Sequence, residues 1–102
     1  MNRIAVQITA FVDEHQPGFV ECALIDADGR LHKFIEKASV VSDENLRQDS
    51  IYPRPGSMAC ELQAEWTDDA GRTRVKVNTE RAWGIESLEG LQDFVLFKSQ
   101  LL

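Results

Sequence analysis

Asp26-Ala27-Asp28-Gly29-Arg30 and Asp68-Asp69-Ala70-Gly71-Arg72 decide the fold. Each is a short polar stretch closing on Gly-Arg, and each lies between runs whose apolar residues recur at every second position. Such a stretch, between apolar-patterned runs and with Gly available for positive φ, favours the tight turn of a β-hairpin. The first turn joins Val20, Cys22 and Leu24 to a returning strand expected over Leu31 to Val41. The second joins the series Met58, Cys60, Leu62, Ala64, Trp66, read as inward-facing, to Thr73, Val75 and Val77. Two hairpins with related turn chemistry predict a meander. The flanking strands do not align as a repeat, so the likeness stays with the turns.

Outward from the hairpins, Ile4, Val6, Ile8, Ala10 and Val12 alternate with Arg3, Ala5, Gln7 and Thr9, the period of a half-buried strand. Asp13 to Gly18 breaks it, because Pro17 removes a backbone donor and Gly18 accepts positive φ. Ser42 followed by Asp43 and Glu44 offers a helix cap with acids in the first turn, which predicts a short helix over residues 43–48. Gln48 to Ser57 holds Pro53, Pro55 and Gly56 and reads as the longest exposed loop. Phe94-Val95-Leu96-Phe97 closes the chain as a strand, apolar on both faces and so either central in the sheet or at an interface. The expectation is one all-β domain over residues 1–102 with at most one short helix: a small antiparallel barrel or sandwich of about six strands, OB-like or SH3-like in its element order.

Composition narrows the function classes. At 102 residues and a formal charge of −6, the chain has the size of one domain and a field that repels phosphates and anionic membrane surfaces. Its apolar runs fall short of the ~20 residues of a membrane helix, and no signal-peptide pattern opens it. The expected compartment is the cytoplasm. Cys22 and Cys60 make neither a disulfide framework nor a metal-ligand cluster; both fall on the apolar parity of their strands, as small core residues.

No residue pattern calls for catalysis, a metal or a cofactor. Asp26-x-Asp28-Gly29 resembles the opening of a calcium loop, but Arg30 and Lys37 stand where its fifth and twelfth oxygen ligands belong. Asp13, Glu14 and His15 are explained by loop composition, and His32 by a partly buried strand position beside Phe34. Arg72, Arg74 and Lys76 alternate on one strand face, with Trp66 and Trp83 as candidate neighbours; glutamates nearby favour a solvated face with cross-strand ion pairs over a phosphate-binding stripe.

The leading expectation is therefore a non-catalytic module that binds another protein, of the inhibitor, immunity-type or complex-subunit kind. It would use a sheet face, an exposed edge or the loop Tyr52-Pro53-Arg54-Pro55. Tyr52, Arg54, Trp83, Arg72 and Arg74 are the candidate binding residues. A small-ligand barrel or barrel enzyme, with a pocket lined by Phe34, Trp66 and Trp83, is the alternative. Single-stranded nucleic-acid binding is a further one, disfavoured by charge, and a homodimer through the C-terminal strand remains open.

Overall fold

The computed structural model describes residues 1–13 and 18–102. Its strands are β1 (Asn2–Asp13), β2 (Phe19–Ile25), β3 (Leu31–Lys37), β4 (Arg54–Thr67), β5 (Thr73–Asn78) and β6 (Asp93–Phe97). A four-residue helix α1 (Ala38–Val41) follows β3, and a 3-10 turn (Lys98–Gln100) follows β6. The strands form one antiparallel sheet in the order β3-β2-β1-β4-β5-β6.

Alternation does what a two-residue period requires. Ile4, Val6 and Ile8 of β1, Val20, Cys22 and Leu24 of β2, and Val75 and Val77 of β5 all turn inward and are buried. Shifts of register in β1 between Ile8 and Ala10 and between Phe11 and Asp13 bend the strand against β2, as bulges do. The sheet curls into a half-barrel whose two ends meet. The Phe94 ring of β6 lies edge-on to His32 and Phe34 of β3, Ala27 N–H donates to Val95 O at 2.9 Å, and Leu88 N–H donates to Lys33 O at 2.8 Å.

The two hairpin turns are built alike. Asp26 N–H donates to Arg30 O and Gly29 N–H to Asp26 O, while Asp26 Oδ1 accepts the N–H groups of Asp28 and Arg30. Asp68 makes the same set with Arg72, Gly71 and Ala70. Gly29 and Gly71 sit at φ 81° and 80°, so each loop is a turn closed by a glycine in the left-handed region.

Four expectations are corrected. The third strand ends at Lys37, because α1 turns the chain and drives Val40 and Val41 into the core. Residues 43–48 are not helical: Ser42 Oγ accepts the Glu44 N–H, a local bond that closes a turn. The prolyl stretch is not loop to Ser57, since β4 starts at Arg54 and Pro55, Gly56 and Ser57 pair with Gln7, Val6 and Ala5. Finally, the inward series of β4 stops at Cys60. β4 leaves β1 after the Asn2–Cys60 pair, and a register shift between Leu62 and Ala64 breaks the parity, which leaves Leu62 and Trp66 exposed by 41% and 40%.

Gly56 marks the tightest packing of the β1–β4 ladder. A Cβ there would lie 2.8 Å from the Ile8 side chain and 2.9 Å from the carbonyl oxygen of Val41, so backbone must move to admit it. Gly56→Ala is expected to cost about 1–3 kcal/mol in urea unfolding, as overpacking does; an unchanged midpoint would contradict this reading of the contact.

Candidate functional site

The candidate site grows out of the β4–β5 hairpin, whose tip is fixed by one side chain. Arg74 donates from Nε to Asp68 Oδ2 and from Nη1 to Asp28 Oδ1, both at 2.8 Å, and so ties its own turn to the tip of the β2–β3 hairpin. The bond from Arg74, helped by the N–H of Arg72, holds the Asp68 carboxyl below the usual carboxylate range, and both carboxylates raise the Arg74 guanidinium further. Beside it, Arg72 lies 3.4 Å over the Phe97 ring. Arg74 is thus a structural tie, and Arg72 a stacked cation at the cleft of about 420 Å³ formed with Thr73, Lys98 and Ser99.

The remaining predicted residues lie elsewhere. Arg54 is ion-paired to Glu44, and Tyr52 donates its hydroxyl to Arg47 O at 2.6 Å while its ring packs against the core. Both brace the segment that carries the chain from α1 to β4. Arg54 and Thr67 stand at opposite ends of β4, about 43 Å apart at ~3.3 Å per residue. The five predicted residues therefore do not converge on one site. Trp83, 59% exposed, projects from the loop after β5, where Ile85 N–H donates to Thr79 O and the Thr79 hydroxyl to Ile85 O. Of the three aromatics expected around a pocket, Phe34 is wholly buried in the core, while Trp66 and Trp83 lie at the surface.

The groups that chemistry would need are engaged or buried. Burial, with Glu36 and Glu21 nearby, pushes the Cys22 thiol up to about 12, and burial raises Cys60 as well. His32 is held through Nε2, 2.8 Å from Asp26 Oδ2. Burial pushes the Asp26 carboxyl up, but the His32 bond and the N–H groups of Arg30 and Asp28 outweigh it and hold the carboxyl below its ordinary value. Both Asp26 oxygens serve the hairpin, and among the described residues no group of three or more His, Cys, Asp or Glu could hold a metal ion. Glu14 and His15 lie outside the described residues. No described helix is long and apolar enough to cross a membrane.

What the sequence reading missed is the outer half of β4. Glu61–Thr67 pairs with β5 on one edge, and no described residue pairs with its other edge. Every residue from Glu61 to Thr67 is exposed. In register, Trp66 faces Arg74 and Phe97 on one face of this arm, and Glu65 faces Val75 and Leu96 on the other. A signal was present in the sequence: residues 55–71 carry four acids and no Lys or Arg. The half-barrel, at 45 × 24 × 24 Å, is drawn out along one axis to nearly the length of β4. The chain matches no known family model, and no match is found among the curated proteins or the solved structures.

Two outcomes follow from this chemistry. Neither thiol of the folded protein should react appreciably with iodoacetamide at pH 8, while both react in urea; fast labelling of the native state would show an accessible thiolate. Because Asp26 and Asp68 titrate below their unfolded values, their contribution is complete above about pH 4 and fades as acid protonates them in the folded state. Asp26→Asn with Asp68→Asn should flatten the loss of stability below pH 4, and an acid limb as steep as that of the parent would contradict this.

Proposed function

We propose that this chain is a non-catalytic protein-binding module that takes an extended segment of its partner onto the free edge of β4. The observation that carries the reading is the edge of Glu61–Thr67 that no described residue pairs, beside exposed Leu62 and Trp66. A row of N–H and C=O groups without a partner is a template for an added strand, and main-chain hydrogen bonds then supply affinity while side chains supply selection. Sheets ordinarily guard such edges with Lys or Pro, and Glu61–Thr67 has neither. The bulge between Leu62 and Ala64 adds local twist without covering the strand.

This reading moves the binding surface from Tyr52 and Arg54, which are tied to Arg47 and Glu44 within the chain, to the β4 arm. It also favours β4 over the C-terminal strand as the contact, because Phe94 and Leu96 of β6 face the core and Val95 O already accepts a bond from Ala27. Trp66 supplies the kind of large amphipathic side chain that anchors interfaces.

The test is selection of a displayed library of random linear peptides on the protein. Leu62→Lys with Trp66→Ala should weaken the selected peptides by about tenfold or more, as loss of anchor residues does. The same exposed substitutions should leave folding stability within about 0.5 kcal/mol. Peptides that bind both proteins equally would contradict the assignment to this edge.

A further inference from the structure

The charge on the β4 arm points to the chemistry of what binds it, if the strand-addition reading holds. We infer that the partner segment is a basic strand, alternating Lys or Arg with apolar residues. From Pro55 to Gly71 the only charged residues are Glu61, Glu65, Asp68 and Asp69. Asp68 is consumed by its turn and by Arg74. Among the described residues, Glu61 and Glu65 are held by exposed ion pairs, to Arg81 at 3.6 Å and to Lys98 at 3.1 Å. Such pairs are screened and contribute little, so either carboxylate can turn to a cation on a neighbouring strand.

Over Ala64, Glu65 and Trp66 the two faces of the arm then set the alternation. An added strand lies ~4.8 Å from β4, with its side chains directly beside those of β4. On one face it meets Glu65, which a cation complements and an acid opposes, and beyond the bulge Leu62, which favours an apolar neighbour. On the other it meets Trp66 and Ala64, which favour an apolar or β-branched residue, and beyond the bulge Glu61, which favours a second cation. Arg72, Arg74 and Lys76 do not reverse this preference. Arg74 and Lys76 stand on β5, one strand further away, and Arg72 in the turn before it; Arg74 is held by Asp28 and Asp68, Arg72 is stacked on Phe97, and Lys76 lies opposite Ala64, on the face that favours an apolar residue. The net charge of −6 steers a basic segment toward the protein and sets a second copy of this chain against its own like charge.

The probe is a fluorescein-labelled octapeptide alternating Lys with Val, titrated against the full chain by anisotropy at low salt beside the matching Glu/Val peptide. The Lys/Val peptide should bind about tenfold more tightly or better, and high salt should erase most of the difference. Glu65→Lys should reverse the preference in a protein whose thermal unfolding is unchanged. Equal binding of the two peptides, or preference for Glu/Val, overturns the inference while leaving strand addition standing. If neither binds, the strand-addition reading falls with it; a concentration-dependent dimer in sedimentation would then assign the edge to a second copy and overturn the basic-partner inference too.

Discussion

β1 lends one edge to β4 and the other to β2, and the offset between those two ladders shapes everything around it. Its first half, Asn2 to Ile8, pairs with Cys60 to Arg54; its second half, from Gln7 to Asp13, pairs with β2 across two register shifts. On the edge that β2 does not reach, Ile4 bridges Leu101 and Leu102 N–H donates to Arg3 O at 2.9 Å. β1 thus finds a neighbour on each edge over part of its length, β4 as far as Ile8 and β2 from Gln7 on, and its inward residues meet those of β2, β4 and β5 in one core. β4 has no such arrangement beyond Cys60. Among the described residues it keeps one ladder, to β5, and its residues from Glu61 to Thr67 are exposed.

The arm is tied down at its tip rather than buried. Asp26 and Asp68 each spend one oxygen on the N–H groups of their own turn, and Arg74 joins Asp68 to Asp28 of the other hairpin. Two turns distant in sequence become one corner of the half-barrel. The same device takes Arg74 out of the pool of binding residues: a guanidinium already engaged by two carboxylates would have to break those bonds to recruit an anion, which weighs against a phosphate-binding face.

The hairpins, the inward parity of β2 and of β1 as far as Ile8, and the burial of both cysteines were legible because each depends on local chemistry or on a strict two-residue period; past Ile8 the register shifts of β1 leave Val12 exposed. The errors arose where tertiary cover decided the outcome. Met58 and Cys60 are buried and Leu62 and Trp66 are not, although all four share one sequence parity; a bulge and the departure of β1 separate them. Ser42-Asp43-Glu44 has the composition of a helix start but no amphipathic turn behind it, so the cap closes a turn instead, and the helix forms earlier, where Val40 and Val41 can reach the core. Tyr52 and Arg54 looked available because partners ten or fewer residues away, Arg47 and Glu44, meet them only once the intervening chain doubles back. The free edge itself lay beyond the reach of pattern reading, since strand order decides which edges find partners.

One edge of Glu61–Thr67 carries backbone groups with no partner among the described residues, and amide hydrogen exchange followed by NMR on the protein alone tests this most directly. Within this segment, amides directed at β5 should be protected, and those directed away should exchange at rates near those of open chain, giving fast and slow sites along a single strand. Uniform protection from Leu62 to Thr67, persisting on dilution, would show that the edge is already covered and would remove the basis for strand addition.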